Sequence, residues 1–191
     1  MKKIRAQKNK GITLIEVMIS SALFSVVMLI SIGSLLAVSD SNRKSALTRT
    51  VMDNLNLAME SMARNLRLGY NYHCDGLNPI NPTSPANCPE GNISVAFEGY
   101  KGNTSNPADQ IIYRLNNGQI ERSTDGGGTY MTLTSPELSI DKLLFYVTGA
   151  LPGDNAQPRV VIVLGGSAEF KGAIKTDFKL QTTVSQRRID S

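Results

Sequence analysis

Between Lys10 and Asp40 the chain carries a single charge, Glu16, inside a run that includes Leu14, Ile15, Val17, Met18, Ile19, Leu23, Phe24, Val26, Val27, Met28, Leu29, Ile30, Ile32, Leu35, Leu36 and Val38. A stretch this long and this apolar matches the thickness of a bilayer core when helical, and it leaves little choice but a helix in apolar surroundings. The exception is the carboxylate. Well inside a bilayer it costs about 2.5–3.5 kcal/mol on insertion scales. Position alone leaves two readings: a functional carboxylate, or a shallow one that lies near the headgroups at little cost.

Five basic residues, Lys2, Lys3, Arg5, Lys8 and Lys10, precede the run. By the positive-inside rule they hold this end in the cytoplasm, so that the rest of the chain is exported. An ordinary secretory signal fits poorly, because the run is too long for a cleaved h-region and no small-x-small site follows it; a plain signal anchor is the alternative. The leader also accounts for the basic character of the chain. Of 20 basic residues and 16 acidic ones, five basic residues fall in residues 1–11, which leaves 15 against 16, a net of −1. The overall +4 is therefore no argument for nucleic-acid binding.

Gly11-Ile12-Thr13-Leu14-Ile15-Glu16 resembles the type III signal of type IV prepilins and pseudopilins, Gly-Phe-Thr-Leu-Ile-Glu, at five of six positions. The departure is Ile12, where the family usually has Phe. The resemblance implies removal of residues 1–11 by a membrane-embedded prepilin peptidase at the Gly11–Ile12 junction. It also implies N-methylation of Ile12, which the departure puts in question, and assembly with other pilins through the apolar helix. Glu16 is implied to act in assembly. After cleavage its carboxylate and the Ile12 amine are one helical turn apart, and it complements the dipole of the helix N-terminus. Pairing within one subunit and pairing between neighbours both fit the spacing; the resemblance favours the second.

Beyond Val38 the helix is expected to continue with a different character. Leu47, Val51, Leu55, Ala58, Met59, Met62 and Leu66 recur at spacings of three and four, no proline occurs between residues 12 and 78, and Gly69 provides a stop. The stripe is expected to pack in cis against a globular head, with a coiled-coil partner as the rival. Small residues at Ser20, Ser21, Ser25, Ser31, Gly33 and Ser34 suit close helix approach or are merely tolerated, and Gly33 is the candidate for a locally unwound point.

Cys74 and Cys88 are the only cysteines, and they bracket a segment with Pro79, Pro82 and Pro85 and little core of its own. Export favours a Cys74–Cys88 disulfide. A zinc site built on His73 and Cys74 competes poorly, since one histidine and two cysteines supply too few ligands.

From Ile93 onward short strands alternate with turns: Ile93–Phe97, Gln110–Leu115, Gln119–Ser123, Tyr130–Leu133, Leu138–Thr148, Arg159–Leu164 and Asp177–Ser185. Asn116-Asn117-Gly118 reads as a hairpin turn. One long helix followed by an antiparallel sheet predicts an α+β fold, organised as a leader (1–11), a transmembrane or filament-core helix (12–38), an amphipathic half (39–69) and a β-rich head (70–191). Arg64-Asn65-Leu66-Arg67-Leu68-Gly69-Tyr70 and Thr183-Val184-Ser185-Gln186-Arg187, in this order of elements, loosely resemble minor pilins of the PilW type and minor pseudopilin J.

Enzyme signatures are missing: there is no Gly-x-Ser-x-Gly, no phosphate loop, and no nucleophile at a recognisable spacing from His73. Asp125 and Asp154 lie near glycines but lack the alternating oxygen ligands of a calcium loop, so no cofactor or metal is expected. The chain reads as a structural filament subunit, a minor pilin or pseudopilin. A filament-displayed receptor for DNA or a surface is the alternative; for DNA, the net charge and the absence of Trp weigh against it.

Overall fold

The structure, a computed structural model, describes residues 11–74, 84–170 and 174–187. Most of the leader, with its five basic residues, and Pro79 and Pro82 lie outside the described residues. The architecture is α+β: one long helix, α1 (Leu14–Leu68), then antiparallel strands in two sheets. The chain divides into two compact units between Ala46 and Leu47, so that α1 contributes to both. The helix is continuous through Gly33, and the unwound point considered there is not present.

In the first unit the apolar side chains point outward on every face; Leu29 is 72% exposed and Leu36 61%. The backbone and the small polar side chains of this stretch nevertheless satisfy one another. Ser20, Ser25, Ser31 and Ser34 each donate a hydroxyl to the carbonyl four residues earlier, at 2.7–3.0 Å, and Ser21 donates to the Met18 carbonyl three residues earlier, at 2.9 Å. These serines therefore present no unmet donor to a surrounding apolar medium.

The second unit is the head together with residues 47–68 of α1. Leu55, Ala58, Met59, Met62 and Leu66 form the buried stripe expected from the spacing, and they join a core with Tyr72, Phe97, Tyr113, Leu143, Phe145 and Ile162. Packing in cis is thus what the stripe does. The five-stranded sheet has the order β1 (Tyr70–His73), β3 (Ser94–Glu98), β4 (Ile111–Asn116), β5 (Gln119–Ser123), β6 (Met131–Thr132). The four-stranded sheet has the order β2 (Cys88–Asn92), β7 (Leu138–Thr148), β8 (Arg159–Phe170), β9 (Ile174–Ser185).

Local chemistry explains most of this. Asn117 and Gly118, both at positive φ (47° and 74°), close the β4–β5 hairpin as a two-residue turn, the conformation that Asn-Gly favours. In β7 the buried parity slips by one between Ile140 and Leu143. The register shifts there, with Asp141 as the extra residue of a bulge that sends Asp141 and Lys142 to solvent. In β9, Phe178 and Val184 are buried while Lys179, Gln181 and Thr183 are exposed, the alternation of a one-sided strand.

Three differences from the sequence expectation stand out. Strands β1 and β2 were not anticipated. Cys88-Pro89-Glu90-Gly91-Asn92 has poor strand propensity, yet it pairs with β7 (Cys88 opposite Val147, Asn92 opposite Phe145) and is held from the side by Asn92 Nδ2 donating to the Cys74 carbonyl at 2.8 Å. Strand β8 runs past Leu164 to Phe170 through two glycines that lie beside the β7 bulge. Strand β6 is shorter than Tyr130–Leu133, because only Glu121 and Arg122 of β5 pair with it.

The end of α1 is fixed from two directions. The Tyr72 hydroxyl reaches the carbonyls of Leu66 (2.5 Å) and Gly69 (2.8 Å), which are among the carbonyls a helix C-terminus leaves without partners. The Arg187 amide donates to the Arg67 carbonyl at 2.8 Å. The two strings Arg64–Tyr70 and Thr183–Arg187, 113 residues apart between Tyr70 and Thr183, therefore meet at one place.

Candidate processing and assembly site

Gly11, Ile12 and Thr13 precede α1 outside any regular secondary structure, and Ile12 is 76% exposed. Thr13 caps the helix: its carbonyl accepts the amides of Glu16 (3.1 Å) and Val17 (3.3 Å), and its Oγ1 accepts the Glu16 amide at 3.4 Å. Thr-x-x-Glu is the spacing of a capping box, which places Glu16 at the third helical position, within the field of the exposed N–H groups. That spacing is readable in the sequence, and it identifies the helix start at Thr13.

The Gly11–Ile12 bond therefore lies just outside the first helical turn, in backbone without helical hydrogen bonds. Among the described residues no ion pair reaches Glu16. The carboxylate is held by its backbone position and its side chain is left open to whatever surrounds the helix.

The size of the exposed apolar surface decides what those surroundings are. Seventeen large apolar side chains between Ile12 and Val38 are exposed. At about 1.5–3 kcal/mol each, covering them is worth on the order of 25–50 kcal/mol, several times the net stability of a typical domain. Water is thus no resting place for this helix, which by length and composition is able to cross a membrane.

Cys74 and Cys88 are joined, with Cα atoms 6.2 Å apart. The bond links the end of β1 to the start of β2 and so ties the two sheets. It also removes the zinc alternative, since the Cys74 sulfur is in the disulfide and is not a thiolate. Among the described residues no group of three or more His, Cys, Asp and Glu side chains gathers as a metal site. Asp125 uses its carboxylate within its own turn, accepting the hydroxyls of Ser123 and Thr129 (both 2.6 Å) and the Thr129 amide (2.9 Å). These bonds, led by that of Ser123, hold its pKa down at about 2. Asp154 accepts the Ala156 amide at 2.8 Å.

Fold and site together give a pilin-like architecture: a capped, apolar N-terminal helix, then a disulfide-linked α+β head. Residues 6–38 match the family model for the prokaryotic N-terminal methylation motif, and the chain carries a type IV prepilin-like signal. The match covers the leader and the apolar stretch and stops short of the head. No curated protein and no solved structure matches the chain. The motif and the apolar helix suit a membrane-anchored, single-pass protein that is a substrate of prepilin peptidase.

Proposed function

We propose that the protein is a minor pilin or pseudopilin, a non-enzymatic subunit of a type IV pilus or of a type II secretion-like filament. In this reading it is inserted in the cytoplasmic membrane with its head exported and is cut between Gly11 and Ile12. It is then passed into the filament through residues 12–38. One observation carries the reading. A prepilin-like signal, with its carboxylate at the third helical position, opens a helix whose apolar side chains up to Val38 find no cover among the described residues. The membrane supplies that cover first, and the helices of neighbouring subunits supply it after extraction.

Glu16 has a specific part here. Cleavage creates an ammonium at Ile12 four residues before the carboxylate, and pairing with such an ammonium on a neighbour neutralises two charges in an apolar bundle. The disulfide supports export, since such bonds persist in oxidising compartments.

Intact mass and N-terminal sequencing of protein extracted from membranes test the reading directly. The mature chain is expected to begin at Ile12, with or without one added methyl. A mature chain that retains Met1–Gly11, or one cut beyond Val38, overturns it.

A further inference from the structure

Strand β3 ends at Glu98, whose side chain is fully buried. Residues 99–110 then loop back to the start of β4. Several bonds close this loop on itself: Gly102 N–H to the Gly99 carbonyl (2.9 Å), Asn103 N–H to Asp109 Oδ2 (3.0 Å), and Asn106 Oδ1 accepting the Ala108 amide (3.3 Å) to cap the short 3-10 turn Pro107–Asp109. Tyr70 of β1 fastens it from outside through its hydroxyl to the Gly102 carbonyl, at 2.5 Å. Gly102 packs directly over Glu98, where any side chain would collide with Oε2.

Glu98 Oε1 accepts Gln110 Nε2 at 2.8 Å. The other oxygen, Oε2, and Asp109 Oδ1 are both shut off from solvent, and neither has a hydrogen-bond donor. The two carboxyl groups are within hydrogen-bonding reach of each other. Two facing, buried acceptors repel unless something positive lies between them. A proton suffices, and the geometry says which group holds it. Asp109 already accepts the Asn103 amide on its second oxygen, whereas Glu98 is the more deeply buried of the two.

We propose that Glu98 and Asp109 share one proton in the folded protein, carried on Glu98, and that this shared proton latches the 99–110 loop over the end of the five-stranded sheet. The inference concerns the head alone and does not depend on the filament reading.

The charged and titratable groups around the latch do not replace that proton. Tyr70 faces Glu98 from β1, and Tyr100, Lys101 and Asp109 belong to the loop. The 123–129 turn packs against the loop through Gly126 N–H to the Gln110 carbonyl (3.1 Å) and carries Asp125, whose carboxylate is engaged within that turn. Burial raises the Glu98 pKa above the ordinary carboxylate value; the Gln110 bond opposes this, and the Asp109 charge adds to it. A raised folded pKa means that the latch is fully formed below the unfolded value and is lost as pH rises through the folded one. Asp125, whose pKa is depressed, has the opposite sign: its contribution is lost only in acid, as pH falls toward about 2. The two windows do not overlap.

The test uses full-length protein in detergent, with hydrogen exchange of the 99–110 amides measured from about pH 5 to pH 9 and corrected for intrinsic rate. Wild type is expected to lose protection as pH rises, about tenfold in the opening equilibrium for each unit by which the folded pKa exceeds the unfolded one. Glu98→Gln keeps an acceptor for Gln110 and gains a donor toward Asp109, so its protection should stay level across the range. Asp109→Asn supplies a donor toward ionised Glu98, should also be level, and serves if Glu98→Gln fails to fold. A level wild-type profile, or a slope that persists in both variants, overturns the proposal. So does protection that calcium chloride restores to wild type at high pH but not to Glu98→Gln, which would place a cation, and not a proton, between the carboxyls.

Discussion

The two parts of α1 handle apolar side chains in opposite ways. From Leu14 to Val38 they cover every face and stay exposed; from Leu47 to Leu68 they form a stripe, and Leu55, Met62 and Leu66 are wholly buried. Polar side chains differ in the same sense. The serines of the first stretch turn back on their own helix, whereas Asn65 Nδ2 reaches across to the Tyr113 hydroxyl at 2.7 Å. A helix dressed apolar all round has no preferred face and serves a medium or a ring of like helices. A striped helix belongs to one core. The division between anchor and head is thus made by side-chain pattern alone, within an unbroken backbone.

The largest effect expected from this contrast comes from matched truncations. Leu66→Ala leaves a cavity among Tyr72, Phe97 and their neighbours and should cost the head about 2–5 kcal/mol. Leu29→Ala removes the same atoms from a side chain that is exposed among the described residues and should leave head stability within about 0.5 kcal/mol. All six tyrosines lie between Tyr70 and Tyr146, so near-ultraviolet tyrosine dichroism during denaturant unfolding reads the head alone. Comparable losses for the two variants would erase the proposed division.

Next in size is the disulfide. Cys74→Ser should lower head stability by roughly 3 kcal/mol, the chain-entropy value for a 15-residue loop, and leave membrane insertion unchanged. Recovery of both cysteines as free thiols after non-reducing extraction of the wild type would remove the bond from the account.

How much of this the sequence made legible follows the same contrast. Everything local and periodic could be read: the apolar run, the stripe from Leu47 to Leu66, the Asn117-Gly118 turn and the alternation in β9. What escaped depends on partners remote in sequence. Nothing in Cys88-Pro89-Glu90-Gly91-Asn92 suggests a strand; its conformation is imposed by β7 and by the bond to Cys74. The tie from Arg187 to the Arg67 carbonyl is made by backbone, which leaves no mark in side-chain pattern. At the N-terminus the signal was legible as a string of residues. The cap at Thr13 was equally present in the Thr-x-x-Glu spacing and adds the physical reason the helix begins there. The buried pair at Glu98 and Asp109 had no such signature, because they lie eleven positions apart and only the fold brings them together.

The smallest expected effect on the head is the most informative for assembly. Glu16 lies in the first turn of α1, outside the unit that holds the core, so Glu16→Gln should leave the tyrosine-detected unfolding of the head unchanged. The substitution keeps shape and hydrogen bonding and removes only the charge, which makes insertion in the membrane easier if anything. Cleavage should also persist, because Gly11 and Ile12 are untouched and Thr13 still caps the helix. What the variant lacks is a counter-charge for the new Ile12 ammonium. Left unpaired in an apolar bundle, that ammonium opposes entry of the subunit, since removing one partner of a buried pair costs about 3–5 kcal/mol. Filaments sheared from cells carrying Glu16→Gln should therefore fall in yield or lose this subunit, while processed protein remains in the membrane at its normal level. Normal filament content would detach the carboxylate from assembly and leave Glu16 as no more than a favourable charge at a helix N-terminus.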